Sequence, residues 1–487
     1  MTLHLSIMLW LPLLGGLLGA LAGRRLAGWF AVAGSFAALA YAVVLVADFK
    51  SGGGLQYVTD ETWIAAIGTH YKLGVDGLNL FLTLLTTVAF TASVLWSVLR
   101  VEVDRPGAYY FWLALGHSAV LGALMAQDLL LFTVFFDLML VPFLFLTGMF
   151  GGENRISAVI RLFIYTLVGS LLMLAAAIAT AVMSGGSFVF SDIAAHGGLA
   201  HGSQNWIFLC FAAAFLIKMP AFPFHGWMPD GYLNMPLPVL AVFSGVLSKI
   251  AAYGLLKIVL PLFPYATGHF QLLVLLIALA SILYGSAMAF TTTNARLVLG
   301  YSSVAQLGFI VMGIFSLTPS GAQGALLQSL NHGLVVLPAF LIIALLAARA
   351  GGSEDLRDMG GGAFRAPVLT ALFLIVALAT LAMPGSSNFA GEFLILQGIF
   401  TSKIVIAFAA SLGVAMAAVY MLRFFISTMH NRVGPRVESR ELALRDALVI
   451  VPLVLAIVAL ALCPQVALDK SEPSLKNIAH AEIQVIR

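Results

Sequence analysis

Charge is what this 487-residue sequence has least of. Asp, Glu, Lys and Arg make up 9% of it, against roughly 25% in soluble domains, and that excludes a soluble fold. Cysteine is nearly absent: Cys210 and Cys463 stand alone in apolar surroundings with no C-x-x-C. An iron–sulfur or zinc framework within this chain is thereby excluded, and each cysteine reads as a small core residue. No G-x-G-x-x-G follows a strand and no Walker sequence occurs, so no nucleotide loop is recognisable and electron chemistry belongs elsewhere. A net charge of +3 is too small and scattered for a nucleic-acid partner. A basic region before the first apolar run is also missing. The run from His4 to about Ala22 leads into Arg24-Arg25 and reads as a spanning helix, not a cleaved signal.

Apolar length is what the sequence has. Hydrophobic residues make up 61%, mean hydropathy is +1.03, and runs near the roughly 20 residues that cross a bilayer as helix recur throughout. Divided at Gly, Pro and charge clusters, they predict an all-α integral membrane protein of about fourteen transmembrane helices. These lie near 3–22, 27–48, 76–99, 108–127, 129–150, 157–183, 205–219, 236–262, 270–290, 295–317, 321–349, 365–400, 403–428 and 446–464. Between 118 and 150 the only break is Gln127-Asp128, and the division is placed there. Thirteen loop Lys and Arg fall on one side and six on the other. This asymmetry predicts a multi-pass protein of a bacterial inner membrane with both termini on the outer side.

Two stretches echo each other. Lys218-Met219-Pro220 leading to His225-Gly226 matches Ala382-Met383-Pro384 leading to Ala390-Gly391, an offset of 164 or 165. Gly245-Val246 through Tyr253 to Lys257 matches Gly413-Val414 through Tyr420 to Arg423, an offset near 167. Pro-broken segments at matching places are the signature of repeat-built transporters with sites at the breaks. The expected organisation is three helices in 1–107, a first five-helix repeat in 108–262 and a second, inverted in topology, in 263–428. A cytoplasmic loop, a last helix and an outer tail then fill 429–487.

Four ionisable residues lie well inside apolar stretches: Asp137, Lys218, Lys249 and Glu392. Each costs about 2.5–3.5 kcal/mol near the bilayer centre, and such residues mark ion pathways by default. The bland alternative for Asp137 and Lys218 is a structural ion pair. Pro220 should break the helix beside Lys218 and free carbonyls that can hold water or a cation. Lys249 and Lys257, eight apart, should lie ~12 Å apart along one face with Tyr253 midway. Of the two, Lys249 is better placed to switch charge, and Lys257 is expected to snorkel. His332, beside Asn331 in a predicted span, suits a proton relay. His225 lies in a Pro-flanked break with Asp230 and serves as relay or turn former, His117 reads as core, and Arg161 is a surface anchor or a partner for Asp137. Glu392 is either a proton exit group or a carboxylate accepting from N–H groups at the start of a half-helix, near Ser386, Ser387 and Asn388.

The segments PAFPFHGWMPDGYLNMPLP, VLSKIAAYGLL and NFAGEFLIL resemble the antiporter-like membrane subunits of respiratory NADH:quinone oxidoreductase (complex I). Multisubunit sodium/proton antiporters are relatives of these. The likeness runs over most of the spans and is strongest from about 205 to 260. FFDLMLVP and PGSSNFAGEF resemble the fifth and twelfth helices of the M type, and the long C-terminal extension of the L type is missing. The resemblance implies proton translocation through Asp137, Lys218, Lys249 and Glu392, with His332 matching a histidine of the eleventh helix. It implies no cofactor in this chain; NADH, FMN, iron–sulfur clusters and quinone belong to partner subunits. L-type and N-type membrane subunits are implied as neighbours. Two positions depart from the pattern. Asp137 stands where many relatives have the longer glutamate, and Gln306 replaces a frequent histidine of the tenth helix with a side chain that hydrogen-bonds but carries no proton.

An ion-exchange subunit of a sodium/proton antiporter is the alternative function. A solute transporter fits less well, because the polar groups form a relay and not a ligand pocket, and a scaffold would not need four buried charges.

Overall fold

The computed structural model describes residues 3–52 and 54–486, the last ten by backbone alone. All fourteen expected stretches are helical. They comprise α1 (Leu5–Leu21), α2 (Ala27–Asp48), α3 (Leu80–Arg100), α4 (Pro106–Met125), α5 (Leu129–Leu138) continued by α6 (Val141–Phe150), and α7 (Arg155–Met183). Next come α8 (His201–Lys218), a short α9 (Met228–Asn234), α10 (Leu237–Leu262), α11 (Gln271–Thr291), α12 (Ala295–Phe315) and α13 (Pro319–Arg349). A broken pair, α14 (Pro367–Thr380) and α15 (Ser387–Ser402), precedes α16 (Ile404–Met429), α17 (Leu444–Leu462) and α18 (Gln465–Ile486). Among the described residues, eleven helical stretches are long and apolar enough to cross a bilayer unaided. Asp128 does divide its apolar stretch: its carboxylate caps α5, accepting from Leu130 N and Leu131 N at 2.9 Å.

The offset in the sequence recurs in the helix starts. Pro106 and Gln271, Leu129 and Ala295, Arg155 and Pro319, His201 and Pro367, and Leu237 and Ile404 are separated by 164 to 167 residues. Smaller features follow the same spacing. Asn294 caps α12 as Asp128 caps α5, and the isolated bridge of Asp128 to Val189 is matched by that of Asn294 to Asp355.

Burial ranks the helices. All of the apolar window of α10 is buried, against 33% in α2, α7, α16 and α17. The helix that carries Lys249 therefore lies in the core. α7 turns a row of Ile156, Ile160, Phe163, Ile164 and Leu167 outward, an apolar face suited to hydrocarbon.

The strands have no counterpart in the sequence reading. Between α2 and α3 the chain forms an antiparallel hairpin, β1 (Gln56–Ile64) and β2 (Thr69–Val75). Its turn is closed by Gly68 in the left-handed region. The segment is too short and polar to span, and its alternation of Tyr, Val, Thr and Trp with polar residues is a strand pattern. α18 packs at this end, where Lys470 Nζ donates to the carbonyls of Val46 (2.6 Å) and Phe49 (3.1 Å). We call this end the hairpin face. At the opposite end, the loop face, the Arg100 guanidinium forks onto the buried Asp446 carboxylate. Arg296 likewise grips Glu354 there while donating to the carbonyls of Tyr232 and Met235.

Candidate functional site

α8 stops at Lys218, as Pro220 requires. The carbonyls freed at this break are taken: Ala221 N donates to Leu216 O and Trp227 Nε1 to Ile217 O, both at 3.0 Å. At these two carbonyls the chain folds back to supply a partner within the protein. Lys218 is buried. Its ammonium donates to the Phe136 carbonyl at 3.2 Å and sits 4.4 Å from the Phe136 ring centroid. Asp137, the next residue, accepts instead from Ser170 Oγ. The acid and the lysine meet at adjacent residues without a contact ion pair, consistent with a carboxylate one methylene shorter than glutamate. Arg161 is no partner of Asp137; it pairs with Asp230.

On α10 the expected single polar face does not form. Two π turns, Phe243–Leu247 and Leu255–Val259, flank the α-helical segment Ser248–Gly254 and shift the phase of the helix. Lys249 Nζ turns back into the core and donates to Ser244 O at 2.7 Å. Lys257 does not snorkel. It pairs with Asp76 at the start of α3, 2.6 Å away, on the hairpin face. Tyr253, between them, is buried with its hydroxyl unbonded. His332 on α13 is buried, within coulombic reach of Lys249, and neither ring nitrogen has a protein partner.

The second break runs from Leu381 to Ser386, with Ala382 and Gly385 in the left-handed region. Glu392 lies on the second turn of α15 and accepts from Gln306 Nε2; Gln306 Oε1 in turn accepts from Gln328 Nε2 at 2.7 Å. No backbone N–H reaches the carboxylate, and the side chains of Ser386, Ser387 and Asn388 make no cap. The geometry thus sets aside the capping alternative. Gln306 thus forms an amide bridge from Glu392 to α13.

His225 stacks on Phe222 at 5.7 Å and lies tilted against Tyr284 at 4.7 Å. His117 stacks on Phe90 at 4.6 Å in the core. The reading missed Asp76, Ser170 and Gln328. Asp76 sits at the edge of an expected span, where a charge draws no notice, and neutral side chains leave no mark on hydropathy.

Residues 126–417 match the family model described as NADH:quinone oxidoreductase/Mrp antiporter, TM. NADH-quinone oxidoreductase subunit M of Mycobacterium tuberculosis is 34% identical, over 97% of this chain and 93% of that protein. Subunit M of Rhodobacter capsulatus is 31% identical, over 98% and 97%. Among solved structures, a chain of respiratory complex I from Thermus thermophilus superposes with a TM-score of 0.91 at 30% identity, covering 98% of this chain and all of that one. A chain of the Mrp complex from Dietzia, at 22% identity and a TM-score of 0.87, shares the fold. With the family model matched over more than half of the chain and relatives above 30% identity spanning nearly all of it, the chain belongs to the antiporter-like membrane subunits of NADH:quinone oxidoreductase, and among them to subunit M.

Proposed function

We propose that protons cross this subunit along a buried row running from Asp137 and Lys218 through Lys249 and His332 to Gln306 and Glu392. The observation that carries the reading is that Lys218 and Glu392 lie beside the two breaks, Lys249 on the buried α10, and Asp137 and His332 on the neighbouring α5 and α13, all within helices. Lys218 and Lys249 are held by single carbonyls and not by carboxylates. Their charge is weakly pinned and responds to the state of neighbours. Tyr253 and His332 offer unbonded polar atoms, which buried water would satisfy. Electron transfer, with NADH, FMN, iron–sulfur clusters and quinone, belongs to partner subunits, and membrane subunits of the L and N types are the neighbours.

The hairpin face lies outside and the loop face, rich in arginine, inside a bacterial inner membrane, with both termini outer. The two five-helix units, 108–262 and 263–428, then run in opposite senses, because an odd number of crossings inverts the second. The test is proton uptake by the assembled complex in sealed vesicles. Lys249→Ala should lower protons moved per NADH oxidised, and an unchanged ratio would refute the track. Sodium exchange, the alternative, would make the yield depend on a sodium gradient.

A further inference from the structure

The ion pair of Lys257 and Asp76 is set apart from the rest of the buried row. It links the last turns of α10 to the short segment between β2 and α3, and both side chains keep partial exposure, 17% and 11%. They line a cavity of about 330 Å³ on the hairpin face, together with Gln127, Phe190, Ser191 and Ser474. Behind the pair the Tyr253 hydroxyl is buried, facing the side-chain amides of Asn79 and Gln127. Beyond Tyr253, one helical turn back, stands Lys249.

The second half of the molecule supplies a control. Tyr420, at the position matching Tyr253, has its hydroxyl satisfied by Ser302 at 2.9 Å. Arg423, matching Lys257, reaches only the Phe290 carbonyl and no carboxylate. The same repeat unit thus carries a tyrosine held by a serine in one half, and in the other a tyrosine facing two amides behind a charged latch and a cavity.

We propose that Asp76 and Lys257 form a gate between the buried track and the hairpin-face cavity, with Tyr253 as the relay behind it. This rests on the proton-track reading above. When the gate works, a proton leaves the Lys249 ammonium, by way of water, for the Tyr253 hydroxyl oxygen. The proton already on that oxygen moves to the Asp76 carboxylate. Asp76 becomes neutral and its attraction to Lys257 falls. The pair parts, and the proton leaves Asp76 for water in the cavity, restoring the carboxylate and the pair. Lys249 is left neutral and Tyr253 unchanged.

The experiment uses the whole complex in sealed vesicles, with Cys210→Ser and Cys463→Ser in this chain and Tyr253→Cys as reporter. A membrane-impermeant thiol reagent added on the hairpin side should label the reporter slowly, and several-fold faster when Lys257→Met is also present. Equal labelling with and without Lys257→Met, or labelling from the opposite side alone, would overturn the gate. In a second arm, Asp76→Asn should lower protons per NADH as far as Lys249→Ala does, with Asp76→Glu restoring part of the yield. A normal yield in Asp76→Asn beside a defective Lys249→Ala removes the gate alone. A normal yield in Lys249→Ala removes the track itself. Assembled complex is quantified in each membrane, so that an unfolded variant is not read as a closed one.

Discussion

Lys218 is anchored to a carbonyl and an aromatic face, so what it contributes to Asp137 is charge, not a hydrogen bond. Removing it in Lys218→Ala should leave the complex assembled and strongly reduce pumping. Lys218→Arg keeps the charge but stays protonated under all conditions. Arginine should therefore assemble normally and pump poorly, as measured by the ratio of protons moved to NADH oxidised, and a normal ratio would reduce Lys218 to an electrostatic partner. At the second break, Glu392→Gln retains size and a hydrogen bond to Gln306 but cannot titrate. Its proton yield should fall with assembly intact, and Glu392→Asp should keep part of it. The charged members of the site were legible because each violates the hydropathy around it. The Gln306–Gln328 bridge was not, since a buried amide differs from its neighbours only in the partner it finds.

Helices that approach this closely do so through glycine. A Cβ on Gly324 of α13 would lie 2.6 Å from Ile395 N and 2.8 Å from Gly391 O, both backbone atoms of α15. Gly324→Val should push α15 away, carrying Glu392 out of reach of Gln306 and reducing both the amount of assembled subunit and its proton yield. On the loop face, Glu441 closes the start of α14 by accepting from Val368 N (2.9 Å) and Leu369 N (3.1 Å). Desolvation raises its pKa, but the N–H groups of Leu442, Val368 and Leu369 outweigh that and hold it below the usual carboxylate value. The cap is complete at neutral pH and is lost as pH falls through that lowered value. Glu441→Gln should cost up to about 1 kcal/mol of local stability near neutral pH and little in acid, read as hydrogen exchange at the start of α14. The repeat was visible at its proline breaks, where Pro220 and Pro384 interrupt apolar stretches at matching places. The π turns of α10 were not, because they differ from α-helix in hydrogen-bond register and not in composition.

For the molecule as a whole, the arginine asymmetry makes a prediction that reporter fusions can check: Arg432 and Lys476 should report opposite sides of the membrane. Reports from the same side would refute the orientation and, with it, the assignment of the hairpin face. The fourteen helices followed from apolar length alone, whereas the hairpin and α18 did not, since neither is long and apolar. Those two elements meet. Lys470 binds carbonyls of α2 and its end more than 400 residues earlier, and Ser474 accepts from Gly77 N at 3.0 Å. During synthesis the early helices are inserted long before α18 exists, so the carbonyls of Val46 and Phe49 wait for a partner that arrives last. Closure of this clasp therefore reports that α18 has been made and packed against the early helices, and a product truncated before Gln465 would leave it open to quality-control proteases.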